Sequence, residues 1–571
     1  MQDAVEMTWI DYTIFILMLI LSTGFGLYHG IRKNKSNTVE EYLFGGRNIP
    51  LIPLILSNMA STVSSIGIVS MARESYYYGL QLLFFPFGVL AGFVILYFFY
   101  IPVFYELKYS SYFEYLEKRF NKASRLLGST VYTIAQIIYA VLIMYSSCTA
   151  VAKVIPIPFY LLTSIVCWLC PIYTLMGGIR GVVWSDFIQA LFMYGSIITI
   201  IIISIQNVGG INEVIDIANR GGRLHFLNFD PSPFARYSSW LLWIAGFSIS
   251  FQLVCTNAGV IQRCLSVPTY KRVKIVIISS AAAFFIAFAS SVIIGLLIYT
   301  TYYKCDPVLS KELKDADQLL TYHVLKIGRN LPGLSGLFLA GLLSAALSSL
   351  STVMNSLSGI IFEDFVKTFT TSTINNARAN LYMKSIVILL ALIINGGIFV
   401  LDPSTGLLQM TTTLLGLTGG LIFFIITFGL FIRNANTKGV IMGTLAGLAI
   451  TLWLSLGNMK AIASGKIKYT TKIISTEGCI HNVTHTFQNF TKGFLHDTPV
   501  IFDDDVPYIY RISYNLFMAI GIVVSLSVGI LILLCTKHNT NIDEKLLIPQ
   551  IRRNSPDSYE CVPCTDLENH C

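Results

Sequence analysis

Charge is what this sequence of 571 residues has least of: Asp, Glu, Lys and Arg together make up 12% of it. Soluble domains carry about twice that share, roughly 25%. With 54% hydrophobic residues and a mean hydropathy of +0.66, a string of soluble domains is excluded. Missing too are the pairings that catalysis requires. No nucleophile–base pair, metal triad or glycine-rich phosphate loop stands out, so an enzyme is not expected. Eleven cysteines do not make a disulfide scaffold in a chain this long. Cys148, Cys167 and Cys170 lie in or beside apolar runs, where a thiol behaves as a small hydrophobe. No cleavable signal peptide is expected: "MQDAVEMTWID" is acidic rather than basic, and the apolar run after it is long enough to span.

What is present is a series of apolar runs of roughly 20 residues, the length that crosses a ~30 Å hydrocarbon core as a helix. Thirteen are expected, at about 9–30, 50–72, 81–104, 125–150, 156–177, 182–206, 238–258, 274–302, 333–361, 382–401, 405–432, 439–457 and 511–535. The chain is an all-α polytopic membrane protein. Its net charge of +8 sits in short connections such as "IRKNK", "LEKRFNKASR" and "YKRVK". Such loops are held on the cytoplasmic side, and nucleic acid is not an expected partner. Because the basic loops follow odd-numbered spans, the N-terminus is expected outside and the C-terminus inside. The sequons at Asn482 ("NVT") and Asn489 ("NFT") agree, since parity places the loop 458–510 outside, where glycans are added. Asn34 ("NKS") falls inside and is expected to stay unmodified. Cys305 and Cys479 would both be extracellular, where a disulfide persists, but spacing alone does not pair them.

Two spans are unusually rich in hydroxyls. From Ser57 to Ser70, in "SNMASTVSSIGIVS", half of the residues are Ser, Thr or Asn. Span nine carries Ser344, Ser348, Ser349, Ser351, Thr352, Asn355 and Ser356 after an apolar first half. One reading is close packing through small residues. The other is a helix broken near the midplane, whose freed carbonyls and hydroxyls ligate a hard cation such as Na⁺. Asp186 and Gln189, at i and i+3 in "YTLMGGIRGVVWSDFIQALFM", share a helix face. A carboxylate within the membrane reads as functional; alternatively Asp186 sits in the first turn of span six, favoured by the helix dipole.

Five stretches together resemble the sodium/solute symporter family: "YLFGGRNIPLIPLILSNMASTVSS", "SSYFEYLEKRF", "YTLMGGIRGVVWSDFIQALFM", "VIQRCLS" and "GLFLAGLLSAALSSLSTVMNSLSGIIFEDF". "ARESYYYGLQ" and "KCDPVLSKELKDADQLLTYHVL" are similar to the branch of sodium-coupled monocarboxylate, multivitamin and iodide transporters. The resemblance implies a LeuT-type core of two inverted five-helix repeats, about 50–206 and 238–432. Residues 1–49 would precede the ten-helix core, two further spans would occupy 433–535, and 536–571 would be a cytoplasmic tail. It implies a common Na⁺ site from the carbonyls of Ala60, Val63 and Ala345 and the hydroxyls of Ser348 and Ser349. Asp186, Gln189, Ser351 and Thr352 match a second sodium or coupling position. Ser61, Thr62, Ser65, Asn257 and the segment "FQLVCTN" would touch solute. Ala258 departs from the branch's usual Gln beside Asn257.

The implied activity is sodium-driven import of a small organic anion across the plasma membrane by alternating access. The alternatives are an inorganic anion such as iodide, or a solute sensor or sodium leak channel on the same fold. Na⁺, a small anionic solute and membrane lipid are the expected partners. Arg73 and Glu74 are expected as interfacial charges, and Glu363 and Asp364 as solvated ones. The tail from Thr536 is expected to be disordered. Its Cys561–Cys564 pair has no second pair to complete a zinc site, so palmitoylation or no modification is expected there.

Overall fold

A spanning chain must pair its backbone within itself, and helices do this segment by segment. The computed structural model describes residues 7–33, 38–313, 315–370, 374–401, 407–479, 498–536 and 542–552, and its apolar runs are helical. Among the described residues ten helices are long and apolar enough to cross a membrane, or twelve with two sharply bent pairs counted as spans. One of the ten, Phe159–Val208, has 50 residues and would be roughly 75 Å long at 1.5 Å per residue. It is interrupted at Gly178 (φ 51°, ψ −143°), where a Cβ would lie 2.5 Å from the Tyr42 carbonyl oxygen. Only glycine meets both conditions. Division there yields spans five and six, and the expected thirteen.

In order the spans are Trp9–Lys33; Leu51–Thr62 with Ser65–Tyr78; Leu80–Leu107; Lys122–Ala152; 159–178; 179–208; Ser239–Cys255 with Ala258–Cys264; Tyr270–Tyr302; Leu334–Phe369; Asn376–Val400; Leu407–Phe431; Thr437–Ala463; and Tyr514–Cys535. Spans four, ten and twelve open on asparagine caps. Asn121, Asn375 and Asn436 accept from the N–H groups of Ser124, Arg378 and Gly439 at 2.9, 2.9 and 2.8 Å, satisfying donors that a helix start leaves free. Span nine is the hub, with 94% of its most apolar stretch buried against 28% for span one. Small residues make that possible: Gly341 lies against Ser196, and Gly336 against the backbone of Asp11. Asp11 Oδ1 also accepts the N–H groups of Gly333 (3.1 Å) and Gly336 (2.8 Å), capping span nine from span one.

Two helices and a strand pair in the connections were not expected, whereas the pairing of Cys305 with Cys479 is one that the sequence leaves open. Ile211–Arg220 and Leu319–Gly328 are helical. Residues 458–510 hold a two-stranded antiparallel ladder, β1 (Ile467–Tyr469) with β2 (Val500–Phe502), in register Ile467↔Phe502. Cys305 and Cys479 are joined in a disulfide across 174 residues. Asn482 and Asn489 lie outside the described residues. The expectation of a disordered tail is corrected for 542–552. There Leu546, Leu547 and Ile548 are 4%, 0% and 2% exposed, an aliphatic triplet buried against the bundle rather than left in water.

Asp11→Ala removes the acceptor for two buried N–H groups, and loss of a cap costs about 1–2 kcal/mol. Detergent-solubilised protein is expected to melt a few degrees lower by scanning fluorimetry, with Asp11→Asn intermediate. An unchanged melting temperature would show that Asp11 does not cap span nine.

Candidate functional site

The first half of span two ends at Thr62, and the chain leaves the helix at Val63 (φ −112°, ψ 111°). Ser64 then starts the second half by accepting the N–H of Gly67 (3.3 Å), and the two halves meet at 52°. Span seven repeats the device. Its halves meet at 58°, and Asn257 caps the second half through Gly259 N (2.9 Å) and Val260 N (3.2 Å). Each break frees carbonyls that a continuous helix would have used.

Span nine crosses beside the break in span two. Ser348 Oγ donates to the carbonyls of Ala60 (3.1 Å) and Ala345 (3.3 Å), and Ser349 Oγ donates to Ala345 O (3.0 Å). All four residues are buried. Four hard oxygens, none charged, are thus drawn together from two helices. Neighbouring ligands at right angles about a cation at ~2.4 Å would stand about 3.4 Å apart, close to these separations. The donor set fits Na⁺. Val63, the fifth expected ligand, is the residue at the break, where its backbone is extended.

Asp186 lies about two turns beyond the Gly178 interruption, past the reach of the helix dipole, so the first-turn reading is corrected. It is fully buried and has a cationic partner that sequence reading missed. Arg263, from "VIQRC" on span seven, donates Nη2 to Asp186 Oδ2 at 2.9 Å. Ser57 (2.7 Å) and Ser61 (3.3 Å) donate to the same oxygen, and Ser351 (3.1 Å) to Oδ1. Thr352 Oγ1 accepts from Arg263 (2.6 Å) and faces Ser61 Oγ (3.0 Å). Spans two, six, seven and nine therefore converge on one carboxylate. Gln189 stands apart from it: its amide donates to Ser185 Oγ (3.3 Å), and its buried Oε1 has no hydrogen-bond partner among the described residues. The signal for Arg263 was an intramembrane arginine in a quoted motif, which needs a counter-charge as much as Asp186 does.

A cavity of about 80 Å³ opens at the break in span two. Thr62, Val63, Ser64 and Gly67 line it from span two, and Phe85, Tyr139, Leu253, Phe288, Ser291 and Thr411 from the spans around. Its polar wall groups are hydroxyls, with no Lys, Arg, Asp or Glu among the lining residues. Of the expected solute contacts, Thr62 and Leu253 reach it. Three do not. Ser61 turns to Asp186, Ser65 accepts from Ser147 Oγ (2.6 Å), and Asn257 is engaged as a helix cap. Ala258 lines a different, smaller cavity with Phe104, Gln262 and Ser356. Tyr139 carried no local signal, being a single hydroxyl in an apolar run, and Ser291 and Thr411 lie in short hydroxyl groups that sequence reading passed over.

Two other expectations are corrected. Glu74 is buried rather than interfacial, held by Arg236 Nη2 (2.9 and 3.0 Å) and the Tyr237 hydroxyl (2.9 Å). Burial opposes the charge on Arg236, but Glu74 together with Tyr78, Tyr514 and Tyr237 outweighs it, holding the guanidinium pKa above its usual value. Arg73 pairs with Asp317 at 2.9 Å. Asp364 is fully buried, held by Arg125 (2.6 and 2.8 Å) and Ser111 (2.9 Å), and Glu363 is buried with Lys367 at 3.0 Å.

Comparison with known proteins agrees with this geometry. The profile of the sodium:solute symporter family matches residues 42–447. The sodium-coupled monocarboxylate transporter 2 of Mus musculus is 30% identical over 546 residues, which cover 94% of this chain and 86% of that protein. The sodium/iodide cotransporter of Homo sapiens is 29% identical over 91% of this chain and 83% of its own. Among solved structures, a Na⁺-coupled sialic acid symporter in a substrate-bound outward-open state superposes with a TM-score of 0.75. It is 22% identical and covers 94% of this chain and all of that one.

Asp186→Ala leaves the Arg263 guanidinium buried without a counter-charge, which costs about 3–5 kcal/mol. Folded protein at the surface is expected to fall sharply. Asp186→Leu combined with Arg263→Met removes both charges and is expected to recover most of it. A double variant as poorly folded as the single one would refute the pairing.

Proposed function

Because the chain belongs to the sodium:solute symporter family, we propose that it imports a small monocarboxylate-like anion across the plasma membrane, driven by Na⁺. Sodium is the coupling ion. The observation that carries the reading is the adjacency of the oxygen cluster of Ala60, Ala345, Ser348 and Ser349 to the cavity at Thr62–Ser64. Both are built from the same break in span two. Na⁺ entering the cluster would turn the hydroxyls of Ser348 and Ser349 so that their lone pairs face the ion, tying span two to span nine. That would hold the N-terminus of Ser65–Tyr78 in place at the cavity. A helix N-terminus favours an anionic group, and the apolar walls favour a hydrocarbon tail. Ion and solute then stabilise one conformation together, which is reciprocal coupling.

The breaks in spans two and seven, the first helices of repeats 50–206 and 238–432, support a ten-helix core that rocks about them. Residues 1–49 precede it, and two spans, with the sequon-bearing loop outside, follow. The N-terminus is read as extracellular and residues beyond 535 as cytoplasmic. Asp186, Gln189, Ser351 and Thr352 are proposed as a second sodium or coupling position, at which a second Na⁺ would share the Asp186 carboxylate with Arg263.

Uptake of lactate, pyruvate, butyrate, nicotinate, biotin, pantothenate and iodide into expressing cells, in sodium and then choline, tests the function. Sodium-dependent accumulation of an organic anion is expected. Accumulation of iodide alone would favour the inorganic alternative, and sodium current without accumulation would favour a channel or sensor. Ser348→Ala is expected to raise the sodium concentration for half-maximal uptake by about tenfold, one lost charge-assisted contact of ~1.4 kcal/mol. Asp186→Asn is expected to lower the sodium Hill coefficient, and an unchanged coefficient at normal surface expression would leave Asp186 as the partner of Arg263 alone.

A further inference from the structure

The segment 542–552, buried at Leu546–Ile548, follows the last span. Asp543 accepts the N–H of Lys545 (3.1 Å) and starts a single turn, Glu544–Leu546. The segment then holds two distant parts of the bundle at once. On one side, Arg552 pairs with Glu106 at 2.9 Å, one residue before the end of span three. On the other, Ile548 N donates to Leu430 O (3.3 Å), and Glu544 pairs with Arg433, both at the end of span eleven. Between them the Tyr115 hydroxyl, on the short helix Glu114–Arg119, donates to Leu546 O (3.0 Å). Arg552 closes the segment on itself through Leu547 O (3.0 Å) and Lys545 O (3.2 Å).

The same face carries the cavity lined by Phe104, Tyr112, Ala258, Gln262 and Ser356. Phe104 stands two residues from Glu106, so the end of span three both walls this cavity and anchors the segment. A movement that swings span three outward to widen the cavity must part Glu106 from Arg552, or drag the aliphatic triplet away from Leu430. Arg119 reinforces the far anchor by donating to the carbonyls of Gly429, Ile432 and Arg433 (2.9, 2.7 and 2.9 Å).

We propose that residues 542–552 are a strap that ties span three to span eleven and must release one anchor each time the inner face opens. As a statement about the transport cycle it rests on the symporter reading above. The strap supplies a restraint on inward opening that the ion and solute sites do not contain.

The test uses the full chain in inside-out vesicles, with Cys535, Cys561, Cys564 and Cys571 changed to Ser and Ala258→Cys as a reporter thiol. Oxidative cross-linking of Glu106→Cys with Arg552→Cys is expected to slow labelling of the reporter by a membrane-impermeant maleimide at least about fivefold, the lower end of ordinary coupling energies. Equal rates in the cross-linked protein and the Glu106→Cys control would overturn the proposal. Independently, Arg552→Glu is expected to speed labelling, and adding Glu106→Arg to restore it. A double variant no closer to the parent than the single one would also overturn it. Sodium-driven uptake is read in parallel. Labelling that obeys the strap in a protein without uptake would retain the strap and sink the symporter reading; uptake with labelling indifferent to the strap would do the reverse.

Discussion

A backbone carbonyl or N–H group left unpaired in hydrocarbon costs several kcal/mol, and the two broken spans are built around that constraint. At Val63–Ser64 and at Thr256–Asn257 the helix gives up its own hydrogen bonds. The structure offsets the loss with side chains: Ser64 and Asn257 cap the second halves, and Ser348 reaches the carbonyl of Ala60. At the break in span two, span nine supplies the hydroxyl that meets the Ala60 carbonyl. The hydroxyls of Ser348 and Ser349, with the carbonyls of Ala60 and Ala345, form an oxygen set whose spacing suits a hard cation. Stability of the break and the proposed sodium site therefore draw on one set of oxygens.

Around this centre several buried ion pairs join separate parts of the chain. Asp186 and Arg263 join spans six and seven, with serines of spans two and nine on the carboxylate. Arg125 and Asp364 join spans four and nine. Glu74 and Arg236 join the C-terminal half of span two to the segment before span seven. Buried pairs of this kind contribute little net stability but penalise any arrangement that separates them. Their value here is in specifying which helices meet. The cavity at the span-two break, by contrast, has no formal charge in its wall, which leaves an entering anion to helix termini and hydroxyls.

How much was legible beforehand depended on range. Hydropathy and basic loops carried the thirteen spans, because a helix crossing lipid is specified within its own 20 residues. The hydroxyl clusters pointed to spans two and nine as partners, and Ala60, Ala345, Ser348 and Ser349 do meet. Asp364 and Glu74 were misread as solvated or interfacial, since the arginines that bury them lie 239 and 162 residues away in sequence. Residues 542–552 of the tail were misread because eleven mixed residues carry no periodicity, and their order comes from the surface they cover.

What the sequence by itself determined is the class of protein, the number of spans and the two polar helices, all consequences of local composition against a hydrophobic solvent. Which hydroxyls face an ion and which a carboxylate was decided only by tertiary structure. Ser61 belongs to Asp186 rather than to the cavity, Asn257 is a cap rather than a contact, and Arg263 balances a charge on another span. Each of these depends on how helices cross, and a crossing is settled by packing between residues far apart in the chain.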